Sequence, residues 1–298
     1  MGRSGWRSQA AAVPFLAPAI VFLVVFLLAP TLLSVFWGGT DKSLTTSTWH
    51  WTGLANLREA VGDSQVGTAT RNTLLIVLVS VPLSIVAGLG LAMLVSRVTR
   101  GRALVRLLLF LPVTANLVAM SVVFQYVFSP DSTGLANTFL SAFGVAPVDW
   151  LGSKSTALLV VGSVGLWRLT SLVFVLYLAG LTSIPTSVDE AAEVDGLRGW
   201  TRFRTITWPL LAPTTVFAAV VGAVLSLQTF ETVAVLSQGG PNGASETLVY
   251  RIYKIGFEPS FRVGYANLLS SLLVVVAVVL GILGSLGGRR FSQTGEQR

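Results

Sequence analysis

Six runs of apolar residues, at about 11–36, 73–95, 104–128, 156–181, 210–236 and 265–286, divide this chain, with polar or charged segments between them. Each run reaches or exceeds the roughly 20 residues that an α-helix needs to cross the hydrocarbon core of a bilayer. The pattern predicts an all-α integral membrane protein of six transmembrane helices, with residues 1–298 forming one transmembrane domain. Pro14, Pro18, Pro30, Pro82 and Pro112 lie in or near these runs. Kinks are tolerated there because neighbouring helices satisfy the freed backbone groups. The first run follows Arg3 and Arg7 as a secretory signal would. It is too long for a signal h-region and no convincing small-residue cleavage site follows it, so a retained helix is expected. The two halves of the chain show no obvious self-similarity, which argues against the internal repeats of secondary transporters.

Composition strengthens the membrane reading. Of 298 residues, 53% are hydrophobic and 11% charged, and the charges avoid the long apolar runs. Cysteine is absent, which excludes disulfide frameworks, thiolate metal sites and cysteine nucleophiles. The single histidine, His50, stands between Trp49 and Trp51 and reads as an interfacial loop residue, so no metal site is expected. The net charge of +7 follows from membrane topology and does not call for nucleic acid. The N-terminal tail, the Arg97/Arg100/Arg102/Arg106 segment, the loop around Glu190 and the C-terminal tail together carry twelve Lys and Arg. The three alternate loops, of about 36, 27 and 28 residues, carry seven. By the positive-inside rule both termini and the Glu190 loop are expected in the cytoplasm.

That loop, at about 185–209, is the most elaborate polar segment. Ser187 and Glu190 stand in capping-box spacing, with Asp189 and Glu190 suited to the first turn of a helix. Ala191 and Ala192 favour helix and leave a low surface that another protein can approach closely. Gly196 is placed to end the helix in a left-handed cap. Trp200, Phe203 and Ile206 then form an apolar stripe at intervals of three, with Arg198 and Arg202 elsewhere on the circumference. Pro209 suits the first turn of the fifth span. The expected product is a helix–turn–helix coupling loop. Four acids within seven residues argue for a protein partner over an anionic lipid surface.

Glu190-Ala191-Ala192, Asp195-Gly196 and Ile206-x-x-Pro209, with nine residues between glycine and isoleucine, resemble the EAA loop of binding-protein-dependent ABC importer permeases. Leu197 and Trp208 depart from the usual pattern without changing the spacing. Phe230-Glu231 running to Gly239-Gly240-Pro241 is similar to a signature of the carbohydrate-importer subgroup, the maltose and glycerol-3-phosphate permease type, with Glu in place of Asp. Gly53-Leu54 with Asn56, Arg71-Asn72-Thr73, Trp167, Ala179-Gly180-Leu181 with Ile184-Pro185, and Gly264-Tyr265-Ala266 follow in family order. The resemblance implies a multi-pass permease of a prokaryotic cytoplasmic membrane that acts by alternating access. It implies three protein partners: a cytoplasmic ABC ATPase dimer, a second homologous permease subunit and an extracytoplasmic solute-binding protein. Residues Gly239, Gly240 and Pro241 then read as contacts of that binding protein or as a loop that helps expel sugar from it, and otherwise as a tight external loop. Glu190, Ala191, Ala192, Asp195, Gly196, Ile206 and Pro209 become the ATPase-coupling residues. The chain has no phosphate-binding G-x-x-x-x-G-K-[ST] motif, so ATP and Mg are expected on the partner ATPase, with no catalytic residue and no cofactor here.

Charged residues within spans are costly and therefore functional suspects. Arg168 lies near the middle of the fourth run and Glu231 in the outer third of the fifth, at depths about 10 Å apart if both runs are straight helices. They are candidates for an ion pair or for contact with solute and water. Gln228, Asn116 and Gln125 offer paired donors and acceptors for sugar hydroxyls, or for helix–helix hydrogen bonds. Two other classes fit the residues less well. A free-standing secondary transporter or channel would carry coupling carboxylates in several spans, whereas Glu231 is the one such group. A membrane enzyme would need an Asp, Glu, His or Cys cluster near one interface, and the Glu190 loop supplies acids with neither His nor Cys.

Overall fold

The computed structural model describes residues 15–258 and 261–296, so Pro14, Arg3, Arg7 and the start of the first apolar run lie outside the described residues. In chain order the helices are α1 (Phe15–Gly38), α2 (Ala55–Gly62), α3 (Ser64–Ser96), α4 (Arg102–Thr114) and α5 (Leu117–Val127). They continue with α6 (Leu135–Ser141), α7 (Ala157–Thr182), α8 (Thr186–Val194), α9 (Gly199–Leu227), α10 (Leu248–Phe257) and α11 (Val263–Glu296). Five helices, α1, α3, α7, α9 and α11, are long and apolar enough to cross a membrane, and the bent pair α4–α5 makes a sixth candidate. Among the described residues there is no strand, only a single β-bridge between Thr40 and Trp51.

The third apolar run is therefore not the straight helix that its unbroken hydrophobicity suggests. α4 and α5 meet at 101°. Pro112 removes a backbone donor near the end of α4, and Ala115 is extended. The Asn116 side chain then restarts the helix by accepting from the N–H groups of Val118 and Ala119, at 2.9 and 3.2 Å. The fifth run differs at both ends. α9 begins ten residues before Pro209 and stops at Leu227, short of the expected 236.

Pro209 consequently sits inside a continuous helix, not at a helix start. The turn before it, Phe203–Thr207, is widened to π geometry, with the Trp208 N–H reaching back to the Phe203 carbonyl. The same device recurs in α1, where the π turn Val24–Leu28 precedes Pro30. A proline interrupts the regular hydrogen-bond ladder and crowds the carbonyl four residues earlier; one residue of slack lets the helix continue.

The chain divides into two compact units. The first comprises the described residues up to Asp63 together with Ile252–Val274. Its α1 is apolar and exposed over most of its length, as a lipid-facing helix would be. Ser34 of α1 donates to Asn267 Oδ1 at 2.9 Å, and Asn56 of α2 donates to the carbonyls of Gly38 and Thr40 at 2.9 and 2.8 Å. Arg262 grips Glu59 with two 2.6 Å hydrogen bonds and lies over the ring of Tyr265. Those hydrogen bonds hold the Glu59 carboxyl below the ordinary carboxylate range.

The second unit comprises Ser64–Arg251 and the described residues from Val275. Its core is α3 against α7 and α9, built on Val81, Leu89, Ala92, Leu169, Val173, Phe174, Tyr177 and Leu211. Small residues bring these helices together, as packing between apolar helices in lipid requires. A Cβ on Gly88 would stand 2.8 Å from Val173 Cγ1 and 2.9 Å from the backbone nitrogen of Phe174. Polar stitches lie between the helices: Tyr177 donates to Thr215 Oγ1 at 2.9 Å, and Ser171 donates to the Leu109 carbonyl.

Candidate functional site

Three places within the second unit hold most of the candidate site residues singled out in the sequence. The first is the knuckle formed by α8, Gly196 and the start of α9. α8 begins at Thr186 with Pro185 as its N-cap and no side-chain cap, so the capping box expected at Ser187 does not form: Ser187 is already inside the helix. Pro185, extended at φ −63° and ψ 142°, sets the entry direction instead. The exit is as expected. Leu197 N–H donates to Ala192 O at 2.9 Å and Gly196 N–H to Glu193 O at 3.1 Å, the paired bonds of a Schellman cap. Gly196 stands at φ +72°, where a side chain strains the backbone, yet a Cβ there would meet nothing within 4 Å.

Glu190, Ala191 and Asp195 are exposed and Ala192 is buried, so the helix presents a carboxylate and a methyl outward while anchoring through one alanine. Trp200 stacks on Phe203 at 5.1 Å between centroids, and Phe203 meets Trp208 at 6.1 Å. The stripe anticipated at Trp200, Phe203 and Ile206 is thus continued by Trp208, because the π turn shifts the register by one residue. Ile206 is half-buried and Pro209 exposed.

The second place is a cavity of about 360 Å³ lined by Arg168 of α7 and by Gln228 and Glu231 just beyond α9. The break of α9 after Leu227 brings them together. A straight helix would have placed Glu231 farther along the axis, whereas residues 228–230 leave helical geometry. The carbonyl of Thr229 freed by this break accepts from Thr247 Oγ1 at 2.7 Å. Broken helix of this kind is tolerated in a membrane where it lines a cavity. Among the described residues, Arg168 and Glu231 form no ion pair within 4.0 Å and neither they nor Gln228 has a side-chain hydrogen-bond partner in the chain. Their polar ends are left to the cavity.

Asn116 and Gln125 do not line it. Asn116 caps α5, and Gln125 donates to the Val235 carbonyl at 2.6 Å, in the π turn Val233–Ser237. The hydroxyl residues Ser80, Ser226, Thr229 and Thr232 do line it and were missed. The available signal was their recurrence at three-residue intervals, 226, 229 and 232, flanking Glu231.

The third place is the turn at residues 239–243. It is tied down. Asn72 Nδ2 donates to the carbonyls of Gly243, Ala244 and Glu246 at 3.0 to 3.1 Å, and the Ser245 hydroxyl lies 2.7 Å from Ser237 Oγ and 2.5 Å from Gly240 O, either of which can accept its one proton. Gly239 is buried against the ring of Tyr250, and Gly240 and Pro241 are half-buried. Thr73 Oγ1 accepts from the Leu248 N–H at 2.9 Å. Asn72 and Thr73 belong to a sequence motif whose task was not evident, because their partners lie more than 170 residues away.

Comparison with known proteins agrees with this architecture. Residues 68–293 match the family described as binding-protein-dependent transport system inner membrane component. A lactose transport system permease protein, LacF, of Rhizobium radiobacter is 35% identical over 279 residues, covering 90% of this chain and 91% of the relative. An sn-glycerol-3-phosphate transport system permease protein, UgpA, of Agrobacterium fabrum is 31% identical, covering 89% of each. The fold is also that of a crystallised bacterial alginate ABC transporter in complex with an alginate pentasaccharide-bound periplasmic protein. That match has a TM-score of 0.82 at 23% identity and covers 96% of this chain and 97% of the other. The chain belongs to the inner membrane components of binding-protein-dependent transport systems.

Proposed function

We propose that this chain is the permease subunit of an ATP-driven importer for a sugar, or a related polyol or glycerol phosphate, working by alternating access. Both termini and the α8–α9 knuckle face the cytoplasm in this reading. A separate ABC ATPase dimer binds ATP and Mg and receives Glu190, Ala191, Ala192, Asp195 and Gly196 in a surface groove. Ile206 and Pro209 form the base through which the push enters α9. A second homologous permease completes the pore, and a solute-binding protein delivers substrate on the outer side, against residues 239–241. Arg168, Gln228 and Glu231 lie on the solute's path, where donors and acceptors in one cavity suit hydroxyl-rich molecules.

The observation that carries this reading is the knuckle: an acidic helix, closed by a left-handed glycine, at the head of a continuous helix that ends beside the cavity. The substrates named for LacF and UgpA, lactose and glycerol 3-phosphate, support the solute class. The test is co-purification of the tagged chain from native membranes in mild detergent. An ATPase and a second permease should accompany it and be lost when Glu190 is changed to Lys. A chain that purifies alone and still moves solute in liposomes would replace this reading with a free-standing secondary transporter.

A further inference from the structure

A second cavity, of about 550 Å³, lies along the last turns of α3 where the start of α9 crosses it. Leu89, Gly90 and Met93 form one wall and Trp200, Phe203 and Trp208 the other. With Ile85 and Val86 the first wall spans residues 85–93 and the second 200–208, eight steps each or roughly 12 Å of helix, so the space is an apolar slot. A Cβ on Gly90 would meet nothing within 4 Å, which leaves the slot open at that point. Val86, also on its lining, is 70% exposed, so this stretch of α3 faces a medium that accepts bare hydrocarbon.

The lining holds one charged group, Arg204, exposed and without an ion-pair or hydrogen-bond partner among the described residues. Charge is divided across the knuckle. The acids Glu190, Glu193 and Asp195 belong to α8 and its cap, whereas residues 198–208 bring Arg198, Arg202 and Arg204 and no acid. Trp200 and Trp208 flank the slot with the amphipathic rings that collect at membrane interfaces. Apolar walls, two indoles and one free cation on the same lining match an acyl chain lying below a phosphate.

We propose that this slot is a binding site for an acidic phospholipid of the inner leaflet, with one acyl chain between α3 and the head of α9 and the headgroup phosphate on Arg204. This placement in the inner leaflet rests on the reading of the α8–α9 knuckle as a cytoplasmic coupling loop. A lipid seated there touches the segment through which ATPase movement enters the membrane helices, and so links transport rate to the membrane's anionic lipid content.

The transporter, purified with its accompanying subunits, would be placed in nanodiscs of phosphatidylcholine carrying a fixed fraction of phosphatidylglycerol or phosphatidylcholine brominated on the acyl chain. The tryptophan quenching assigned to the slot is the difference between the wild type and a Trp200→Phe/Trp208→Phe variant. Brominated phosphatidylglycerol should quench this component at about fivefold lower mole fraction than brominated phosphatidylcholine, the preference that one basic side chain near an anionic surface supplies. Arg204→Gln should bring the two lipids within about twofold. Gly90→Leu, which fills the open point without touching Arg204, should remove the quenching by both. Equal quenching by the two lipids in the wild type, or selective quenching that survives Gly90→Leu, would overturn the proposal. Absence of quenching by either lipid would also overturn it, showing that a protein surface covers the slot. The subunits recovered in the same preparation report separately on coupling. Selective quenching without a bound ATPase would leave the lipid site standing and remove the coupling reading.

Discussion

Gly196 permits a quantitative test of the knuckle. Its φ of +72° lies in the left-handed region, which costs a residue with a Cβ about 1–2 kcal/mol. No neighbour lies within 4 Å of where that Cβ would be, so the cost of Gly196→Ala comes from the backbone alone. Two hydrogen bonds, Leu197 N to Ala192 O and Gly196 N to Glu193 O, depend on the same conformation. At about 1 kcal/mol the capped population falls roughly fivefold relative to uncapped ones. A β-branched residue is disfavoured further, whereas asparagine tolerates this region best among non-glycine residues. The expected order of coupling is Gly, then Asn, then Ala, then Val. The assay is solute uptake per ATP hydrolysed in proteoliposomes containing the assembled transporter, with insertion checked by the yield of the chain in membranes. Uptake per ATP should fall several-fold for Ala and more for Val, with yield unchanged. Equal coupling in Gly196→Val and the wild type, or Asn as poor as Val, would refute the argument that cap geometry transmits the stroke.

Four further outcomes follow from contacts described above. Gly88→Val should destabilise the detergent-solubilised chain by about 1–3 kcal/mol, read as a lower midpoint of thermal aggregation, because its side chain overlaps Val173 and the Phe174 backbone. Asn72→Ala should cost about 1–3 kcal/mol locally and expose residues 239–247 to limited proteolysis, since three carbonyls lose their donor. Arg168→Ala and Glu231→Ala should each abolish uptake while leaving subunit assembly intact, as measured by co-purification and radiolabelled-solute uptake. Glu59 has its pKa lowered in the folded protein, mainly by hydrogen bonds from Arg262. Its contribution is therefore present above the ordinary carboxylate pKa and lost as pH falls through the depressed folded value. Melting of the wild type should weaken in that acid range, and Glu59→Gln should flatten that part of the profile, with partial exposure of both side chains keeping the effect small.

Which parts were legible from the residues depended on the range over which the deciding interaction acts. Apolar runs identified the membrane-length helices because the bilayer imposes a length on each of them. Gly196 was legible as a cap because a left-handed turn selects glycine through its own φ, whatever surrounds it. Arg168, Gln228 and Glu231 stood out as polar side chains in apolar runs. Asn116 and Gln125 carried the same signature but serve a cap and a backbone carbonyl, a difference that only three-dimensional partners decide. The bend between α4 and α5 was hidden by continuous hydrophobicity, and so was the end of α9 at Leu227. Hydropathy records where lipid or packed helix can be, but not where the backbone ladder stops. The π turns were equally silent, though Pro30 and Pro209 marked their positions two residues downstream.

α9 runs unbroken for 29 residues, about 43 Å of helix, from Gly199 beside the knuckle to Leu227 beside the cavity. A hydrogen-bonded rod of that kind neither stretches nor compresses appreciably, so a thrust at its head arrives at its tail with the same amplitude. Regular helix is bounded at both ends: by the glycine-capped joint at residue 196, and by residues 228–230, where the rod gives way to irregular chain. In the proposed coupling this helix acts as a connecting rod, and Gln228 and Glu231, at and just past its far end, stand where its travel is delivered.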